Sequence, residues 1–217
     1  MHELNPSIRD IPIPANMRKL PIGPNGYPVP WFVAWLDGKP EFRVADSEKQ
    51  MLAVHHRRCW VCGERLNNRV THVIGPMCSV NRVSSEPPSH PECAIYSARA
   101  CPFLTRPGMV RRDNDLPEGT TSAGEMITRN PGAMCLWTTK APGFEIITDG
   151  RNGRLFYLFE PTEVRWMAEG RAATRAEVEA SIASGYPFLT RMADEQGLPA
   201  IMELNKMVAA ARKYLPE

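Results

Sequence analysis

Cys59-Trp60-Val61-Cys62-Gly63 and, further along, Ser89-His90-Pro91-Glu92-Cys93 constrain this chain more than any other feature. Five of its six cysteines fall within the 43 residues from Cys59 to Cys101, beside several histidines. An even cysteine count fits disulfides, but the first residues, MHELNPSIRD, lack the basic-then-apolar layout of a secretion signal. In a reducing compartment, clustered Cys and His read as metal ligands. The expectation is a cytoplasmic protein holding Zn²⁺ as a structural ion.

CxxC followed by glycine is a zinc knuckle: the glycine lets the chain turn tightly enough for both sulfurs to reach one ion. Ser89 and Glu92 have capping-box spacing, so Ser89 is read as the N-cap of a helix, with Pro91 tolerated in its first turn. His90 and Cys93 then share one helical face. A knuckle, a hairpin and two ligands from a first helical turn define a treble clef with ligands Cys59, Cys62, His90 and Cys93. Cys78 competes for the place of His90, because the loop before it is unconstrained. Cys101 and Cys135 read as buried small apolar residues.

Around this segment the pattern is that of an α+β protein: a treble-clef-like zinc unit, a mainly antiparallel sheet and a helical C-terminal third. Many of the 21 prolines cluster in the first forty residues, so residues 1–30 read as an extended arm. Residues 31–58 read as strand, strand and helix: Trp31–Leu36 turns at Asp37-Gly38 into Glu41–Val44. A helix capped by Asp46 or Ser47 then runs to about Arg57, with Ser47 and Gln50 at capping-box spacing and Met51, Leu52 and Val54 on its apolar face. The zinc segment covers 59–112. Residues 113–160 hold a polar loop, DNDLPEGTTSAGE, and three strands at Ala133–Thr139, Phe144–Thr148 and Leu155–Phe159, the last two joined by a turn at Asn152-Gly153. Residues 161–217 read as four helices: Pro161–Glu169, one capped by Thr174 and Glu177 that stops at Gly185, Pro187–Gln196, and Pro199–Tyr214 with Ile201, Leu204, Met207 and Val208 on its apolar face. No apolar run approaches the eighteen or so residues that span a bilayer.

Charge is uneven. From His55 to Arg112 there are nine arginines against three glutamates, with no lysine or aspartate, so the metal segment is basic although the whole chain carries only +2. Arg57, Arg58, Arg65, Arg69, Arg82, Arg111 and Arg112 are the expected surface for DNA or RNA, or otherwise for a protein partner.

Two enzymatic readings stand beside this one. An HNH-like metal-dependent nuclease would use His72 as general base, with Asn81 and His90 completing the site. Against it, Thr71 replaces an acid or histidine, the His72–Asn81 interval is short, and His90 is already claimed by the zinc shell. A small-molecule enzyme would place its pocket beside the zinc unit, where Arg82, Glu86, Arg99 and Arg106 join Asn81, Ser84 and Ser85. The plainer reading of Glu86-Pro87-Pro88-Ser89 is a loop stiffened so that His90 meets zinc.

The segments GYPVPWFVAWLDGKPEFRV, CWVCGE, VIGPMCSVNR, EPPSHPECA, ACPFLTRP and GRAATRAEVEASI resemble a family of uncharacterised bacterial and phage zinc-binding proteins, from about Tyr27 to Ala183. The resemblance implies one unit rather than a zinc finger fused to another domain, and it brings no activity with it. The expected function is a zinc-stabilised accessory protein that binds a macromolecule through its arginine-rich surface.

Overall fold

Asp37 and Gly38 both adopt positive φ, 47° and 74°, and turn β1 (Val33–Leu36) back into β2 (Lys39–Ala45). This is the two-residue Asp-Gly turn that the sequence calls for. The computed structural model describes residues 2–112, 114, 116, 120, 127–150 and 153–217. Most of the expected polar loop at 113–125 lies outside the described residues, as does Asn152 of the expected Asn152-Gly153 turn.

After β2, α1 (Ser47–His55) starts on Asp46, whose carboxylate accepts from the N–H groups of Glu48 (3.0 Å) and Lys49 (3.1 Å). Of the two candidate caps Asp46 is the one used, and the Ser47–Gln50 box does not form, because the Asp46 side chain already takes the first free N–H groups of the helix. Nor do Met51 and Leu52 face the core: both are exposed, and Ala53 is what α1 buries.

The next elements are β3 (Arg69–Ile74), α2 (Pro76–Asn81), β4 (Val83–Ser84), α3 (Pro91–Ala100) and the single turn α4 (Pro102–Thr105). Then come β5 (Met134–Lys140), β6 (Phe144–Thr148), β7 (Arg154–Leu158), β8 (Glu163–Ala168) and β9 (Arg171–Ala172). The chain ends in α5 (Arg175–Gln196) and α6 (Leu198–Ala211). One antiparallel sheet has the order β3-β5-β8-β9 and a second has β4-β7-β6.

Strand register sorts the first sheet into two faces. His72 stands opposite Trp137, and Cys135 opposite both Ile74 and Trp166. That face packs with Phe156 and Leu158 of the second sheet and Val178 of α5. The other face sends Met134 and Leu136 against Ala94 and Ala98 of α3. The helix that carries two candidate ligands is thereby clamped to a sheet along its length. The proline-rich arm completes a separate cluster, in which Ile8, Met17 and Leu20 pack with Cys59, Val61, Cys62, Leu66, Cys93 and Tyr96. Burying three such side chains stabilises by about 1.5–3 kcal/mol each before the entropy of ordering the arm is subtracted.

Two expectations in the C-terminal third do not hold. Pro161–Glu169 is not a helix; it contains β8, turned into β9 by Glu169 and Gly170 at φ 52° and 77°. Val164, Trp166 and Ala168 alternate toward the inter-sheet core with Arg165 outside, a period of two that an acidic start after proline disguised. The helix capped by Thr174 and Glu177 does form its capping box, but it runs through Gly185 and Pro187 to Gln196. Gly185 serves packing rather than termination: a Cβ there would fall 2.8 Å from Cγ of Met77 in α2. Among the described residues, no helix is long and apolar enough to cross a membrane.

Candidate metal centre

The knuckle is built by backbone geometry. Cys59 donates its N–H to the Glu64 carbonyl (2.7 Å), and Gly63 donates to the Cys59 carbonyl (2.8 Å). Gly63 has φ 75°, where a side chain is strained, and a Cβ there would fall 2.6 Å from Cγ of Trp31. Glycine is thus required both for the turn and for the indole that closes over it. Trp31 is fixed in turn by its own N–H, which donates to the Val61 carbonyl at 2.7 Å.

The other two ligands enter as expected, through a different cap. The N-cap of α3 is His90, not Ser89. Ser89 instead exchanges both backbone bonds with Thr71 at 2.8 Å each, an antiparallel bridge to β3. A ladder bond satisfies Ser89 on both sides and leaves the Ser89–Glu92 box without its cap. The consequence for the site is small: His90 lies just before the first turn and Cys93 within it.

Cys59, Cys62, His90 and Cys93 are all buried, with their ligand atoms within 4.8 Å of one another. A tetrahedral zinc with Zn–S of about 2.3 Å and Zn–N of about 2.0 Å separates sulfur and nitrogen ligands by roughly 3.5 Å. His90 Nδ1 lies 3.4 Å from Cys62 Sγ and 4.0 Å from Cys93 Sγ, so the donors fit such an ion. The remaining ring nitrogen, Nε2, lies 3.0 Å from the Arg65 carbonyl. That bond fixes the tautomer that leaves Nδ1 free for metal. The backbone N–H groups of Cys62 and His90 both point at Cys59 Sγ, at 3.4 Å each. Burial alone raises the Cys59 thiol, but hydrogen bonds from Cys62, Cys93 and His90 outweigh it and hold Cys59 below the ordinary thiol range. Hydrogen bonds to Cys59 and Cys62 raise the His90 imidazole to about 10. Such a donor set can exchange that proton for a metal ion.

The remaining candidates lie elsewhere. Cys78 is outside the cluster and packs in the inter-sheet core with Cys135; burial pushes its thiol up to about 11. His72 and Asn81, the other two residues of the nuclease reading, are also outside the cluster. The His72 side chain is 1% exposed, edge-on to Phe144, with Nδ1 at 3.2 Å from the Glu86 carbonyl. Burial holds its imidazole down at about 4. Asn81 uses its side-chain oxygen to accept from the Val83 N–H at 3.0 Å. Ser84 and Glu86 close a local turn, and the Pro88 carbonyl accepts from the Trp60 N–H at 3.0 Å, so this loop braces the knuckle.

The seven candidate arginines separate. Arg69 pairs with Glu163 at 2.6 Å. Arg82 donates to the Leu158 carbonyl, pairs with Glu160 and lies over the Tyr157 ring. Arg111 bonds the Arg43 carbonyl, and the exposed Arg112 accepts from Arg43 through its own carbonyl. Arg57, Arg58 and Arg65 remain together beside the knuckle, where Arg58 and Arg65 form an antiparallel bridge. Arg57, Arg65, Leu66, Asn67 and Asn68 line a hollow of about 400 Å³. Asn67 and Asn68 were not among the sequence candidates; the signal was two adjoining carboxamides directly after Arg65-Leu66.

No family model, curated protein or solved structure matches the chain, and the functional reading therefore rests on the geometry of this centre and its surroundings.

Proposed function

We propose that Cys59, Cys62, His90 and Cys93 hold a structural zinc ion in a treble-clef-like unit, and that the protein is a cytoplasmic accessory factor binding nucleic acid beside that unit. The observation that carries this reading is the closed, buried set of four donors. Three thiolates and one imidazole make a common structural zinc shell, whereas a catalytic zinc keeps a position open for water or substrate. The knuckle and the helix start match the treble clef. The stretch between them is longer than a simple hairpin, since α2 and β4 intervene between β3 and the returning bridge at Ser89.

Zinc does here what a larger apolar core does elsewhere, tying a loop-rich segment to α3 and the arm. The surface next to it carries Arg57, Arg58 and Arg65, and Glu64, the acid within that stretch, is neutralised by Lys19. A cationic face of this kind attracts a phosphate backbone. Metal analysis of the purified protein is expected to give one zinc per chain, lost in Cys59→Ser and Cys93→Ala and retained in Cys135→Ser. Mobility shifts with labelled DNA and RNA over a salt series test the second half. Absence of any shift at low salt would sink the nucleic-acid reading and leave the zinc assignment standing.

A further inference from the structure

Arg57 occupies an expensive conformation. It follows the C-cap His56 of α1 with φ 51°, the left-handed position where helices usually place glycine. The Arg58 N–H reaches back to the Ala53 carbonyl at 3.0 Å, the bond that marks this helix ending. An arginine held there against steric cost points to a use for its side chain.

Arg57 lines the 400 Å³ hollow together with Arg65, Asn67 and Asn68. Backbone bonds brace the lining. The Leu66 N–H donates to the Arg57 carbonyl at 2.7 Å, and the Asn68 carbonyl accepts from the Ala141 N–H at 2.9 Å. Among the described residues, neither guanidinium and neither carboxamide has a hydrogen-bond or ion-pair partner, and no carboxylate lines the hollow. Four exposed polar side chains, without protein partners among the described residues, thus line the hollow beside buried Leu66.

Resting on the nucleic-acid reading above, we propose that this hollow is a phosphodiester subsite for single-stranded nucleic acid. Arg57 and Arg65 hold one or two phosphates, and Asn67 and Asn68 bond the adjoining sugar. The hollow is open to solvent on one side and has room for about one nucleotide. A flexible strand turns a phosphate and its adjoining sugar into it together. No aromatic side chain lines the hollow, so recognition is of the backbone and tolerant of sequence.

The test is fluorescence anisotropy of labelled oligo(dT) with the zinc-loaded protein, repeated as salt is raised. Arg57→Gly together with Arg65→Gln is expected to weaken binding at least about tenfold at low salt. It also flattens the log–log salt slope by about 1.4, the share of two single-strand phosphate contacts. Arg57→Gly alone keeps the zinc, keeps or raises the melting temperature because glycine suits positive φ, and still weakens binding. Arg212→Gln removes the same charge from a distant exposed site and leaves the slope unchanged. If the wild type binds oligo(dT) and the double variant matches it in affinity and slope, the hollow is the wrong place and the broader reading survives. If the wild type binds no oligonucleotide, both fall. Displacement of oligo(dT) by equimolar inorganic phosphate or thymidine monophosphate overturns the subsite in favour of a small anion. Equal displacement by polyglutamate overturns it in favour of an acidic protein.

Discussion

His90 Nε2 sits 3.0 Å from the backbone carbonyl of Arg65, and this one bond couples the candidate metal to the arginine-lined hollow. The imidazole faces three sulfurs on one side and orients the residue that supplies a guanidinium on the other. The donor cluster and the basic surface are therefore joined through one bond, and loss of the metal is expected to disturb the hollow as well.

Removing the metal is the first prediction. Chelation of the intact protein, or Cys93→Ser, is expected to lower stability by at least about 3 kcal/mol, because a buried donor set without its cation leaves polar groups unsatisfied. Urea unfolding of metal-loaded and stripped protein checks it. A stripped protein with an unchanged midpoint would make the ion dispensable.

Gly63→Ala is the second. The substitution meets positive φ and the Trp31 ring together, with the new Cβ 2.6 Å from Cγ. A loss of about 2–4 kcal/mol is expected, along with weaker zinc retention in a competition with a chromogenic chelator. Gly150→Ala, where a Cβ meets nothing within 4 Å among the described residues at φ 78°, carries the strain without the collision and is expected to cost less.

The third concerns acid. His72 is neutral in the fold, with its pKa held at about 4 by burial, against 6.5 for the free side chain. Between those values the unfolded chain binds the extra proton, so stability is complete above about pH 6.5 and falls as pH drops toward 4, by at most about 1.4 kcal/mol per pH unit. Acid also strips a thiolate-bound metal, so the informative quantity is the difference between wild type and His72→Gln. Denaturation curves at several pH values are expected to converge as pH falls; parallel curves would show that His72 does not titrate in this way.

Pro187→Ala is the fourth. Proline inside α5 lacks the N–H that its turn of helix requires. Restoring it is expected to raise the unfolding free energy by about 1 kcal/mol, read as a higher urea midpoint at constant slope.

The four-residue donor cluster was legible because its chemistry is local: a knuckle is five residues long, and the second pair is three apart. The cap between them was misread, since Ser89 obeys a rule of helix starts while a distant strand, through Thr71, takes its backbone. The β1–β2 turn and the Thr174–Glu177 box were readable for the same local reason. Gly185 and Pro187 were misread because both are breakers in isolation, and only packing on α2 shows why the helix continues. The hollow was invisible in sequence, because the Arg58–Arg65 bridge and the Leu66-to-Arg57 bond that bring Arg57 and Arg65 to one place follow no spacing rule. Counting arginines could not separate those beside the knuckle from Arg69 and Arg82, which side-chain partners elsewhere in the fold occupy.

The arm that covers the metal segment has a temporal side. Ile8, Met17 and Leu20 leave the ribosome long before Cys93 and Tyr96, the residues that they eventually touch. Until then the arm has no partner, and its apolar side chains are exposed to any neighbouring chain. Its many prolines deny it the backbone donors that a rival strand pairing needs. The same residues that make the arm poor at forming structure of its own thus keep it free of unwanted pairings while the site it must close is still being synthesised.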